Sequence, residues 1–433
     1  MSATKAIILA GGGTKGESAR CRSIETAVDP RRLILSNLRY VLGTRMRPLT
    51  LDTPKPLLPI AGKPMIYHPL LALSKIKGLT EVVIIGFYED SLFADFIKQA
   101  KREFPGLSIT YLREYRALGT AGGLYHFRDA ILPNLKEFYV INADICSSFP
   151  LSELSDLHSK HRGVGTILGV NVAKDTATKY GCIVHDPSSA QVLHYVEKPE
   201  KWISSLINGG VYLFDRSFFD EVKIAMETKQ KDAAEDPFGE QDDLLRLEQD
   251  VIVPLAASKK MFVYESKDFW RQIKTAGSAV PASALYLAQF QKTNSKLLTP
   301  PGKAGSGGPT ILPPVFIDPT AEVDETAKIG PNVSLGPAVR IAAGARVKDA
   351  ILMEGAFVDK HACVQNAIVG KDCKIGQWSR IDGEPAAMDG DGKQLDITIL
   401  ATNVTVAKET VIRSCIVLPS KTLTSSAAGR VLL

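Results

Sequence analysis

The 433-residue sequence is poor in the features that mark secreted, membrane-spanning or nucleic-acid-binding chains. Its six cysteines, Cys21, Cys146, Cys182, Cys363, Cys373 and Cys415, are scattered and none forms a C-x-x-C pair. That spacing excludes a disulfide framework and a zinc site, and predicts reduced thiols in a cytoplasmic protein. No apolar run approaches the ~20 residues of a membrane span. Ala6–Ala10 follows a lysine but is too short for a signal core, and Gly11-Gly12-Gly13 ends it. Charge of one sign is also scarce. Lys and Arg total 52 against 47 Asp and Glu, a net charge of +5, with no long basic run. Nucleic acid is therefore not an expected partner. G-x-x-x-x-G-K-[ST] does not occur, so that phosphate fingerprint does not apply.

What is present is an ordinary globular composition, 45% hydrophobic and 23% charged, long enough for two or three domains. In the first half, buried-strand runs at Ala6–Ala10, Glu81–Phe87 and Glu137–Ala143 alternate with helical spacing over Met65–Ile76 and Ser91–Arg102. The alternation predicts βαβ units and a parallel sheet. Further strands are expected at Gly165–Val172, Val192–Glu197 and Gly210–Phe214, and a helix over Ala279–Gln291.

Thr299–Pro309 is rich in Gly and Pro and reads as linker. Beyond it apolar residues recur every six positions. One frame holds Ile317, Val323, Ile329, Leu335, Ile341, Val347 and Met353, a second Phe357, Cys363, Val369, Ile375 and Ile381, and a third Leu400, Val406, Ile412 and Leu418. A hexapeptide period predicts a parallel β-helix with these residues pointing inward. Asp382–Leu395 breaks the third frame and is expected to project. The domain plan is an α/β domain over residues 1–290, a linker over 291–310 and a β-helix over 311–433.

The glycines after the first strand become informative with the text around them. When Glu17–Gly43 is set aside, the turn continues into Thr44-Arg45-Met46-Arg47-Pro48-Leu49-Thr50 and then Pro54-Lys55-Pro56. Downstream come Leu118-Gly119-Thr120-Ala121-Gly122-Gly123, Asn142-Ala143-Asp144, Tyr180-Gly181, Glu197-Lys198-Pro199 and Asn208-Gly209-Gly210. In order and spacing these resemble the sugar-1-phosphate nucleotidyltransferases. Together with the β-helix they most resemble the GDP-mannose pyrophosphorylases (mannose-1-phosphate guanylyltransferases), in particular their alpha-type subunits. The segments carrying that finer likeness are Gly119–Arg128, Ile145–Pro150, Tyr180–Val184, His194–Pro199 and Gln272–Ser278.

The resemblance implies a Rossmann-like nucleotidyltransferase domain followed by a left-handed β-helix. It implies catalytic positions at Arg45 and Lys55, where cations neutralise a triphosphate and its leaving group. It implies nucleotide binding by Leu9, Ala10, Gly11, Gly12, Gly119, Gly122 and Asn142. Sugar binding falls to Gly181, Glu197, Lys198 and Asn208, and Mg²⁺ binding to Asp144. Catalytic members hold a second metal-binding Asp in W-x-D-I-G. This chain has Trp270-Arg271-Gln272-Ile273-Lys274, with an amide in place of the carboxylate and an ammonium in place of the glycine. Both oppose Mg²⁺, which is expected to be weakly held or absent. The resemblance therefore implies a regulatory subunit that binds GDP-mannose, controls a catalytic beta-type subunit and forms a hetero-oligomer with it.

Glu17–Gly43 departs from the family and is expected to be disordered or weakly packed, either a functional insertion or a splice or gene-model artefact. Two other readings stand beside the first: an active guanylyltransferase resting on Asp144, Lys55 and Arg45, and a hexapeptide acyltransferase resting on His361.

Overall fold

Ala3–Leu9 (β1) is an apolar run with no alternation, as a strand covered on both faces requires. In the computed structural model it lies inside a sheet, parallel to Leu79–Gly86 (β2) on one side and to Leu135–Asn142 on the other. The structure describes residues 3–11, 44–161, 163–235, 244–293, 296–303, 307–385 and 397–432. Glu17–Gly43 and most of the Asp382–Leu395 excursion lie outside the described residues.

The chain divides into two compact units. The first comprises Met1–Thr44, Ile66–Ile145 and Phe149–Trp270. Among the described residues, nine strands form its mixed sheet. After β1 and β2 come Ser108–Arg113 (β3), Leu135–Asn142 (β4), Gly165–Asn171 (β5), Gly181–His185 (β6), Val192–Glu197 (β7), Leu206–Asp215 (β8) and Met261–Ser266 (β9). The order is β7-β6-β8-β4-β1-β2-β3, with β5 pairing β8 and β9 pairing β5. The β3-β2-β1-β4 half is parallel, built through Tyr67–Leu73 (α1), Asp90–Glu103 (α2) and Thr120–His126 (α3). The long strand β8 runs antiparallel to β4, β5 and β6. Ile7, Val83, Phe138, Val140, Tyr212 and Phe214 are in its buried core. Leu247–Ile252 is wound as a π-helical turn, a form used mostly in single turns and often at functional sites.

The second unit comprises Arg45–Met65, Cys146–Ser148 and Arg271–Leu433. From residue 310 onward it is a left-handed parallel β-helix, and Ala279–Lys292 (α4) packs within the same unit. Thr299 N–H donates to Val315 O at 2.9 Å and Ile311 N–H to Gly302 O at 3.0 Å, so the Gly/Pro stretch opens along the first coil.

The coil corrects the six-residue frame at Phe357 and Cys363, which face outward. Ile341 pairs with Val358 and Val347 with Val364, and both valines are fully buried. Phe357 and Cys363 instead pair with the outward Arg340 and Arg346. The early rung Ile329 to Val347 advances eighteen residues, while Ile341 to Val358 advances seventeen. One corner is a residue short, and a one-residue slip moves a strand's side chains to the opposite face. Leu335, Ile375, Ile381, Leu400, Val406 and Ile412 point inward as the period predicts.

Candidate functional site

The C-terminal ends of the parallel strands gather one group of residues in the first unit, where α/β sheets place ligands. Leu9, at the end of β1, pairs with Ile85 on one side and Asn142 on the other. Ala10 is buried and donates its N–H to Ile85 O. Gly11 follows with φ +112°, a conformation that favours glycine, and is exposed. Gly12 lies outside the described residues. Asp144 sits in the turn just past β4, partly buried, and Ala143 N–H donates to Leu9 O.

The turn that opens α3 is more closed than its sequence implies. Gly119 has φ +79°, and a Cβ there would lie 2.3 Å from Leu245 O. The amides of Ala121 and Gly122 both donate to that same carbonyl, at 3.0 and 3.2 Å. Leu245 N–H returns to Leu118 O, and Leu247 N–H reaches Thr120 Oγ1 at 2.9 Å. The helix-start amides of Ala121 and Gly122 are thus occupied by the chain's own backbone, and Gly122 admits Leu245 rather than presenting a donor.

Sequence reasoning missed Glu114. It is buried at 4% exposure, and burial lifts its carboxyl to about 7. Its Oε1 lies 2.1 Å from where a Cβ on Gly123 would stand, and its N–H bonds Gly86 O at the end of β2. The only sequence signal was an acid a few residues before the glycine turn.

The residues expected from the sequence to bind sugar converge around β7 and β8. Glu197, at the end of β7, accepts the Tyr195 hydroxyl on Oε2 at 2.8 Å, and Lys198 Nζ stands 3.7 Å from its Oε1. Gly181 must be glycine, because a Cβ would meet Tyr195 Oη at 2.0 Å and Glu197 Oε2 at 2.7 Å. Asn208 Nδ2 donates to Tyr195 Oη at 3.0 Å and to Tyr212 Oη at 2.8 Å, and Oδ1 accepts Gly210 N–H at 2.9 Å. Tyr212 Oη lies 3.4 Å from Glu248 Oε1. Glu248, in the π-turn, is a second acid that the sequence did not disclose. Burial and the nearby Glu197 charge push its carboxyl up. Trp270 packs edge-on against Tyr180 and donates to Gly209 O at 2.9 Å. A Cβ at Gly210 would lie 3.0 Å from Asn142 Nδ2, so the two sets of candidate residues approach each other there.

Arg45, Lys55, Gln272 and Lys274 belong to the second unit. Arg45 is exposed, and Lys55 starts a 3₁₀ turn. After that turn, Ala61 N–H bonds Ser283 Oγ of α4, and a Cβ at Gly62 would strike the Phe316 ring at 2.0 Å. Gln272 ends the short strand Trp270–Gln272. His361, at a coil corner, is stacked on Trp378 at 4.3 Å. Among the described residues no three His, Cys, Asp or Glu side chains gather as a metal-binding group. The residues offered for Mg²⁺, one carboxylate with a neutral amide at the companion position and an ammonium two residues on, do not fit a hard cation that is held chiefly by anionic oxygen ligands.

Comparison with known proteins bears on this geometry. A nucleotidyl transferase family model matches residues 42–244, and the model of the GMPPB C-terminal domain matches residues 311–432. A Homo sapiens protein named mannose-1-phosphate guanylyltransferase regulatory subunit alpha is 45% identical over 411 residues, covering 90% of this chain and 97% of its own. A Xenopus tropicalis protein of the same name is 45% identical over 412 residues, with the same coverage. A Schizosaccharomyces pombe protein named probable mannose-1-phosphate guanyltransferase is 43% identical over 406 residues, again with that coverage. A solved Bacillus anthracis structure titled as a glucose-1-phosphate thymidylyltransferase aligns with 65% of this chain and 95% of its own. At 23% identity and a TM-score of 0.49 it carries no weight here. The chain carries a domain of the nucleotidyl transferase family followed by a C-terminal β-helix, and it belongs to the mannose-1-phosphate guanylyltransferase family.

Proposed function

We propose that this chain is a regulatory, nucleotide-sugar-sensing subunit that binds GDP-mannose and controls a catalytic guanylyltransferase subunit in GDP-mannose biosynthesis. The observation that carries this reading is Gln272 with Lys274 where catalytic relatives place a metal-binding carboxylate and a glycine. Nucleotidyl transfer needs metal against the phosphates. Nucleotide-sugar binding needs chiefly the end of β1, the Gly119 turn and the Glu197 group. Leu9, Ala10, Gly11, Gly12 and Asn142 would receive the nucleotide, with Gly119 and Gly122 shaping the wall beside it rather than donating to it. Gly181, Glu197, Lys198 and Asn208 would receive the sugar, Glu197 accepting from its hydroxyls and Lys198 holding its phosphate. The printed names of the human and Xenopus relatives support the regulatory role. A hetero-oligomer in the cytoplasm follows from it, and among the described residues no helix is long and apolar enough to cross a membrane.

The second reading, an active mannose-1-phosphate guanylyltransferase, is favoured by Asp144, Arg45 and Lys55 and by the name of the S. pombe relative. One assay separates the two. The purified chain, given GTP, mannose-1-phosphate and Mg²⁺, is expected to bind GDP-mannose by calorimetry without forming diphosphate. Turnover near that of a catalytic relative would sink the regulatory reading.

A further inference from the structure

The hydrogen bonds around Asn208 have a direction that can be deduced. Gly210 N–H can only donate, so the atom it meets is Oδ1, which fixes the amide's orientation. Nδ2 then faces the two phenols and gives one proton to each. Both phenol oxygens are acceptors from Asn208, so their own protons must point away. Tyr195 has Glu197 Oε2 in that direction and Tyr212 has Glu248 Oε1. The result is a chain with its source in the middle and a carboxylate at each end. Asn208 has spent both of its donors inside the protein. It leaves Glu197 with Oε2 occupied and Oε1 turned toward Lys198.

The far end is also fixed by backbone. Leu247, directly before Glu248, donates to Thr120 of the glycine turn, and the π-turn sets the pitch at which Glu248 meets Tyr212. Tyr212 and Tyr195 are buried, so neither hydroxyl has water as a ready alternative.

We propose that Asn208 is the hub of this network, and that Tyr195, Tyr212 and Glu248 are positioning residues that aim Glu197 at the hydroxyls of a nucleotide-bound sugar. The proposal rests on the nucleotide-sugar reading above, and names residues that this reading left out.

The test compares affinity for GDP-mannose with affinity for GDP by calorimetry on the full chain. Tyr195→Phe and Asn208→Leu are expected to weaken GDP-mannose about tenfold while GDP stays within about twofold, since only the sugar arm is disturbed. Tyr212→Phe and Glu248→Leu, at residues the reading above does not place on the sugar, should lose several-fold in the same selective way. Glu248→Gln, whose amide oxygen still accepts from Tyr212, should restore most of the loss. If Tyr212→Phe and Glu248→Leu bind both ligands as the parent does, the hub is wrong and Asn208 acts alone. If the parent itself does not prefer GDP-mannose to GDP, the functional reading fails instead. The hub then still faces a ligand-free check. The Asn208 side-chain NH₂, assigned by NMR, should show two protected protons, one perturbed by Tyr195→Phe and the other by Tyr212→Phe. Rapid exchange of both would overturn it.

Discussion

Glu114 is a carboxyl that folding makes harder to ionise. Its folded value of about 7 lies above its ordinary 4.5, so between those values the folded chain keeps a proton that the unfolded chain has released. Its contribution to stability is whole below about pH 4.5 and declines as pH rises through 7. The shift corresponds to about 3 kcal/mol. Glu114→Gln should therefore raise Tm by several degrees relative to the parent at pH 8 and change little at pH 4.5, measured by scanning calorimetry. Gly181→Ala makes a steric prediction. The new methyl must displace the Tyr195–Glu197 pair, at a cost of about 1–3 kcal/mol, and GDP-mannose should weaken more than GDP. Single residues also mark the limit of legibility. Gly181 and Glu197 could be singled out as candidates because they stand in short motifs of fixed order. Glu114 and Glu248 were not, because an acid's burial depends on partners far along the chain.

At the scale of elements, the strands of the first sheet were legible from apolar runs, since parallel strands covered on both faces have nothing to alternate with. The β-helix was legible as a period but not in its phase. Beyond Met353 the sequence offers Phe357 and Cys363 as readily as Val358 and Val364, and only the shortened corner decides. Val364→Ala should cost about 2–3 kcal/mol in urea unfolding. Cys363→Ser should stay within about 0.5 kcal/mol. The opposite order would restore the simple six-residue frame. The end of Leu151–His158 provides a pH prediction. His158 Nδ1 and His161 Nε2 both lie 2.8 Å from Thr166 Oγ1, and Gly163 N–H donates to His161 Nδ1. Burial lowers both imidazoles, His161 to about 4. Here the unfolded chain holds the extra protons, so stability is present above about pH 6.5 and is lost as pH falls toward 4. Replacing both with Phe should flatten the Tm profile across that window.

For the molecule as a whole, the two-part plan was legible because two periods, of strand–helix alternation and of six residues, meet at a Gly/Pro stretch. The effect of Glu17–Gly43 was not, since flanking motif text says nothing about how an insertion sits. Joining Gly16 to Thr44 is expected to tighten GDP-mannose binding, read as a larger ligand-induced rise in Tm than the full chain shows. A different kind of change follows from the turn at Leu247–Ile252. An α-helix advances about 100° per residue, and a π-turn carries more residues per turn than that pitch allows. Val253–Ala257 continues from it as ordinary helix. Loss of one codon within the turn would let the α pitch run through, rotating Glu248 by about 100° away from Tyr212 with the reading frame and nearly all the core intact. Among naturally occurring alleles, a single-residue deletion there should give a chain that folds and accumulates normally yet no longer distinguishes a nucleotide from its sugar conjugate.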